Sequence, residues 1–239
     1  GLEKQIDRCA YSAKSLIGVV TALNGAGNVA SVSETGKKSG VVFRFSGSVA
    51  AYAGSLSFSG AQEDGNPVGA NFSHPVVPAV SVGVDLVRTR NNGDLVLRLE
   101  AGYWQATYTG HTTGTYYRYT FTLKQAVITP GLALLYSFYR TDHLRLYGAA
   151  ALVYNVSAGT PTGRMDATPV TVGTAYSQNG FAPENSWFQP QLRLGAQVAD
   201  KVGVELVGSF PTTITNYVSY SGKLSQYGLK VIYYFNGTH

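Results

Sequence analysis

From about residue 40 onward the chain alternates apolar and polar positions with a period of two, the pattern of strands that carry one greasy face. In "VVFRFSGSVAAYA", Val41, Phe43, Phe45, Val49 and Ala51 alternate with Arg44, Ser46 and Ser48. "VSVGVDL" sets Val80, Val82, Val84 and Leu86 against Ser81, Gly83 and Asp85, and "LVLRLEAGY" sets Leu95, Leu97, Leu99 and Tyr103 against Arg98, Glu100 and Gly102. "QAVITPGLALLYSF", "LRLYGAAALVY", "FQPQLRLGAQV" and "VGVELVGSF" repeat the pattern, and "YGLKVIYYF" closes it with Tyr227, Leu229, Val231, Tyr233 and Phe235 on one face. Eight strands are predicted.

Residues 2–23 follow another rhythm. Leu2, Ile6, Cys9, Ala13, Leu16, Val20 and Leu23 recur at spacings of four and three, an amphipathic helical stripe ended by Asn24-Gly25. Residues 25–39 are rich in Gly, Ser and Lys and read as a linker. The expected organisation is a helix and linker over 1–39, a barrel over 40–235 and a short tail over 236–239. Gly1 in place of an initiating methionine reads as a processed chain.

The connections alternate between short and long. Asn91-Asn92-Gly93-Asp94, Arg140-Thr141-Asp142-His143 and Asp200-Lys201 are tight and polar. Between them lie longer segments near 60–76, 109–118, 159–186 and 212–221, rich in Gly, Ser, Thr, Asn and Pro. Short turns on one side and long loops on the other are the pattern of a transmembrane β-barrel. Pro130 and Pro190 fall inside strand patterns, where a missing N–H predicts a bulge at each.

Composition decides which face meets which medium. Only 13% of residues are Asp, Glu, Lys or Arg, about half the share of an ordinary soluble domain. A soluble barrel would point its apolar face inward and cover the other with charge. Here the polar face carries mostly Gly, Ala, Ser, Thr and Gln, with one or two charges per strand, which suits a crowded interior. Those charges are Arg44, Asp85, Arg98, Glu100, Arg145, Arg193, Glu205 and Lys230. Both signs are mixed, so a narrow lumen can hold them as pairs.

Two aromatic groups fit interfacial belts: Tyr136, Phe138, Tyr139, Tyr233, Tyr234 and Phe235 toward the short turns, and Tyr103, Trp104, Tyr108, Tyr154, Trp187 and Phe188 toward the long loops. The fold class expected is therefore all-β: an eight-stranded antiparallel transmembrane β-barrel with a short N-terminal amphipathic helix. An eight-strand lumen is too narrow for a helix, so residues 2–23 are expected outside it.

The stretches "VSVGVDLVRTRNNGDLVLRLEAGYW", "YTFTLKQAVITPGLALLYSF" and "LRLYGAAALVYNVSAG", with the final strand, resemble bacterial outer-membrane barrels of the small OmpA/OmpX type. More narrowly, residues 40–235 resemble the PorT-like barrel families of the Bacteroidota. The resemblance implies a bacterial outer membrane, with both termini in the periplasm. It also implies contact with outer-membrane lipid and lipopolysaccharide, and passage through the barrel-assembly machinery. "QYGLKVIY" resembles the signal read by that machinery, on Gln226, Gly228, Val231, Tyr233 and the aromatic Phe235; it departs from the pattern in that Asn236-Gly237-Thr238-His239 follows.

Candidate chemistry is sparse. His74, His111, His143 and His239 lie one per loop, turn or tail, without metal-ligand spacing, so neither metal nor cofactor is expected. Scattered Lys and Arg, with a net charge of +5, give no nucleic-acid patch. No G-x-S-x-G motif occurs. The expected function is a non-enzymatic structural or accessory barrel that presents loops and binds another outer-membrane or periplasmic protein. A narrow small-solute pore is the first alternative. An enzyme built from His74 and His111 with Glu63, Asp64, Asp166 or Glu184 is the second.

Overall fold

In the computed structural model, described for residues 41–88, 94–141, 143–215 and 217–235, every regular element is a β-strand. They are β1 (Val41–Gly60), β2 (Asn71–Phe72), β3 (Val76–Arg88), β4 (Leu95–Thr113), β5 (Tyr117–Arg140) and β6 (Leu144–Ser157). β7 (Thr162–Pro169), β8 (Tyr176–Phe181), β9 (Ser186–Val198), β10 (Val202–Ser209), β11 (Thr212–Thr213) and β12 (Tyr220–Tyr234) complete the series. The helix expected at 2–23, the linker after it and the tail at 236–239 lie outside the described residues.

Eight strands form a closed antiparallel ring, in the order β1, β3, β4, β5, β6, β9, β10, β12 and back to β1. The closing pair joins the first and last strands, with Val49 opposite Val231 and Ala51 opposite Leu229. Closure leaves no ring strand with an unpaired edge, a requirement in hydrocarbon, where nothing else can satisfy the backbone.

The barrel is inside-out. Along the lower part of each ring strand the apolar residues point outward: Leu206 is 56% exposed, while Asp85, on the opposite parity, is 0% exposed. On β5 the outward apolar run extends from Ile128 to Phe138. About eleven residues at roughly 3.4 Å each, tilted by about 40°, span close to the ~25 Å apolar band of a membrane barrel. The exterior is therefore that of a transmembrane β-barrel.

Toward the long-loop end the polarity of the same strands reverses. Outward residues of β5 become Arg118, Thr120, Thr122 and Lys124, while Tyr119, Phe121 and Leu123 turn inward and are buried. On β4, Gln105, Thr107 and His111 face out and Trp104, Ala106 and Tyr108 face in. The inward set packs with Leu56, Phe72, Met165, Phe181 and Ile214 into one aromatic-rich core. Above the membrane band, the barrel continues as an ordinary water-facing structure.

Three expectations change here. The segment 109–118 is not a long loop: β4 and β5 run through it to a turn at 114–116, closed by Gly114 N–H donating to Tyr117 O at 2.9 Å. The segment 159–186 contains the β7–β8 hairpin, which adds to β5 above the band. Neither proline makes a bulge. Pro130 keeps the register of β5 with β4, and the β6 ladder merely lapses beside it. Pro190 keeps its register opposite Leu152 of β6, and Phe210 N–H still donates to its carbonyl at 3.0 Å, so its missing N–H removes only the reciprocal bond at the end of the β9–β10 ladder. The register shift along β5 lies between Ser137 and Tyr139, and it turns both Phe138 and Tyr139 outward.

Candidate functional site in the barrel lumen

Strand parity carries every charge named from the sequence to the inner face. Arg44 on β1, Asp85 on β3 and Arg98 on β4 are cross-strand neighbours at one height, as are Glu205 on β10 and Lys230 on β12. Arg98 Nε donates to Asp85 Oδ1 at 2.6 Å and its Nη2 to Oδ2 at 3.1 Å. Arg44 Nη2 donates to the same Oδ2 at 2.7 Å. Arg98 then reaches across the lumen, donating through Nη1 to Glu205 Oε1 at 2.7 Å and through Nη2 to the Tyr234 hydroxyl at 2.7 Å.

A second group sits beside the first. Glu100 accepts from Arg193 Nη1 at 3.1 Å and from Lys230 Nζ, and Arg193 Nη1 lies 3.8 Å from Glu205 Oε2. Tyr147 donates its hydroxyl to Glu205 Oε1 at 2.8 Å, and Arg44 stacks 4.0 Å above the Tyr234 ring. Arg44 Nη1 also donates to Gln197 Oε1 at 3.1 Å, and Arg145 bonds Ser137 Oγ through Nε.

Burial makes this arrangement costly to disturb. Each ion removed from water carries a penalty of several kcal/mol, offset only while its partners stay in place. The cations (Arg44, Arg98, Arg145, Arg193, Lys230) outnumber the carboxylates (Asp85, Glu100, Glu205), so each carboxylate is shared between cations. Large tyrosines complete the filling: a Cβ at Gly195 would collide with the Tyr147 ring, so glycine there makes room for it. Between this girdle and the aromatic core above it remains a chamber of about 30 Å³, lined by Ser48, Ser81, Thr129 and Gln226 among others. That is room for a water or two, not a channel.

Tyr147, Tyr234, Gln197 and Ser137 also belong to this site; none was counted in the lumen network from the sequence, where Tyr234 was placed in an aromatic belt. Parity marked them: Tyr147 follows Arg145 by two, and Tyr234 follows Ile232 by two. The aromatic belts need the same correction. Trp104, Tyr108, Trp187 and Tyr234 are buried inside the barrel because their parity is inward, whereas Tyr103, Tyr154, Phe188, Tyr136, Phe138, Tyr139, Tyr233 and Phe235 stand exposed on the exterior.

On the closing strand, Gln226 is buried and Gly228 faces inward, while Val231, Tyr233 and Phe235 face outward. Above the membrane band, His111 Nδ1 on β4 lies 3.1 Å from Thr120 Oγ1 on β5. Asp166 is engaged by Arg164 and Ser177. Among the described residues no carboxylate is bonded to His74 or His111, and no cluster of His, Cys, Asp and Glu could hold a metal.

A closed ring with an apolar exterior and an ion-filled interior defines the class: a transmembrane β-barrel whose lumen is filled by side chains. No protein-family description and no curated protein matches the sequence. Among solved structures, the chain is similar to Neisserial surface protein A, at 10% identity and a TM-score of 0.41, over 81% of this chain and 98% of that one. It is also similar to Ail, the attachment invasion locus protein of Yersinia pestis (9%, TM-score 0.37, 80% and 99%). The N-terminal barrel domain of Pseudomonas aeruginosa OprF compares at 12% and a TM-score of 0.32, over 80% and 97%. The membrane assignment rests on the exterior of this barrel, not on these likenesses.

Proposed function

We propose that the chain is a non-enzymatic structural or accessory barrel of a bacterial outer membrane, of the small OmpA/OmpX type. The observation that carries this reading is the filled lumen: Arg98 bridges Asp85 on one wall to Glu205 on the other, with all three side chains essentially inaccessible to solvent. A solute pore needs an open path there, and a catalytic role needs a reacting group free to meet substrate. What remains available is the surface, namely the lipid-facing band and the water-facing extension built on β4, β5, β7 and β8.

The finer placement follows from the alternation of turns. The described ends, Val41 and Phe235, lie on the short-turn side, where Tyr234 N–H bonds Lys201 O. With short turns in the periplasm, both ends are periplasmic, and the extension points outward to present loops to a partner. The strand sequences support a PorT-like relationship, and Gln226, Gly228, Val231, Tyr233 and Phe235 on the closing strand act as the assembly signal.

Single-channel recording on the refolded protein tests the carrying observation. Current at baseline is expected; stable ohmic steps would restore the pore. Purification from native membranes without crosslinking tests the accessory role, where a stoichiometric companion is expected and a lone monomer would count against it.

A further inference from the structure

Two arginines stand side by side at the short-turn mouth of the barrel. On the β5–β6 ladder Arg140 is directly opposite Arg145, and on the β6–β9 ladder Arg145 is opposite Gln197. Cross-strand partners share a face of the sheet, and Arg145 and Gln197 are both buried on the inner one. Like charges directly opposite on adjacent strands destabilise a sheet. The turns below hold this arrangement in place. Thr141 N–H donates to Leu144 O at 2.7 Å, and Ala199 N–H of the β9–β10 turn donates to His143 O at 2.9 Å.

At these two turns lies a cavity of about 220 Å³, lined chiefly by Arg140, Arg145, His143, Thr141, Gln197 and Asp200. Arg140, Thr141 and His143 are exposed, so the cavity opens at the mouth, whereas Arg145 reaches into the girdle and bonds Ser137 there. Gln197 closes the inner side. Its Oε1 accepts from Arg44 Nη1 at 3.1 Å, so a third guanidinium lies behind it. Asp200 is the one carboxylate of the lining among the described residues.

The cavity also ends a lumen with positive charge left over. In the girdle Arg44, Arg98, Arg193 and Lys230 share Asp85, Glu100 and Glu205, and at the mouth Arg140 and Arg145 are set against Asp200. Cations outnumber carboxylates in both groups among the described residues. Surplus charge in a closed interior costs several kcal/mol, and an anion at the accessible end of the lumen offsets it. A guanidinium presents its N–H groups as a planar fork that matches two oxygens of one anion, a pair that a halide lacks.

We propose that this mouth binds a small oxyanion of the phosphate type between Arg140 and Arg145, with the His143 ring beside it and Asp200 opposing it. The anion compensates the surplus charge of the lumen and relieves the like-charge pair on the β5–β6 ladder. The site rests on ring closure and on the charges inside, and is independent of any protein partner.

The test uses the full chain refolded in dodecyl maltoside micelles, a detergent with neither phosphate nor charge. Inorganic phosphate is titrated at constant ionic strength, balanced with sodium chloride so that screening stays the same. The backbone amides of Leu144 and Asp200 report from the two turns at the cavity. Saturable shifts are expected at both. Arg140→Gln should weaken binding about tenfold, as for loss of one charge-assisted hydrogen bond. Asp200→Asn removes the opposing carboxylate and should tighten it several-fold; asparagine tolerates the left-handed backbone at this position, where φ is 55°. Lys201→Gln takes a positive charge from the same end of the barrel but outside the lining, and should leave the affinity unchanged. Shifts that do not saturate, or that chloride alone reproduces, overturn the site. Equal weakening in Arg140→Gln and Lys201→Gln also overturns it, since net charge would then account for the binding. If Arg140→Gln does not refold, the Asp200→Asn arm decides, and affinity no tighter than the parent's overturns the proposal.

Discussion

Arg98 holds both oxygens of Asp85, with Nε to Oδ1 at 2.6 Å and Nη2 to Oδ2 at 3.1 Å, between adjacent strands of the barrel wall. Arg44 shares Oδ2, so this one carboxylate serves two guanidinium groups in a space closed to water. Asp85→Asn removes the charge and keeps the shape, leaving both arginines buried with less than their due compensation. The expected loss is about 3–5 kcal/mol, the cost of breaking a buried ion pair from one side. Urea unfolding of the refolded barrel in micelles, followed by tryptophan fluorescence, measures it. A loss under about 1 kcal/mol would mean that the girdle is hydrated rather than dry.

The reversal of polarity along β5 gives a second expectation. Leu132 faces outward in the middle of the apolar band, whereas Thr122 faces outward on the same strand above it. Arginine at the first position is expected to cost about 2–4 kcal/mol in a bilayer. Arginine at the second should fall within about 0.5 kcal/mol of the parent, as for an ordinary surface substitution. Folding equilibria in lipid vesicles provide the comparison. Equal costs at the two positions would remove the boundary placed between Lys124 and Ile128.

The architecture was legible because parity is local: each strand shows its greasy face within eight or nine residues, and the turns between strands announce themselves. The reversal was harder to see because alternation continues through it unbroken. In "YTFTLKQAVITPGLALLYSF" the apolar set occupies Tyr119, Phe121 and Leu123 and then shifts by one to Ile128, Leu132 and Leu134. The adjacent pair Val127-Ile128 marks the slip on β5, as Tyr103-Trp104 does on β4. Parity placed the eight charges on one face, but their partners are set by barrel closure: Arg98 and Glu205 lie 107 residues apart.

Outside the membrane band, Asp166 joins β7 to β8. The Ser177 hydroxyl and the Arg164 guanidinium both bond its carboxylate, and these bonds hold the carboxyl below its usual range. A carboxyl depressed in the folded state stabilises at pH values above the unfolded value of ~3.9, and that contribution fades as pH falls through the folded value. The β7–β8 hairpin should therefore keep its amide protection at neutral pH and loosen at strongly acidic pH. Asp166→Asn should remove the acid dependence. Hydrogen exchange at Ser177 and Gln178 between pH 6 and pH 3, corrected for intrinsic rates, reads it out. A parent hairpin whose opening is no more pH-dependent than that of Asp166→Asn would sink the claim.

Gly228 carries two readings that one experiment separates. As part of the proposed assembly signal it is recognised by machinery; in the barrel it faces Tyr52, where a Cβ would run into the Ala51 carbonyl and the Tyr52 Cα of β1. The obstruction is backbone, so no side-chain rotation relieves it, and it lies at the seam that closes the ring. Gly228→Ala is therefore expected to lower the yield of folded, heat-modifiable barrel even when the purified chain refolds into vesicles with no assembly factor present. Tyr233→Ala, on the outer face of the same strand, meets no such obstruction and should refold in vitro with nearly the parental yield. If Gly228→Ala refolds normally in vesicles but fails to assemble in cells, glycine serves recognition. A deficit of the same size in both settings assigns it to closure.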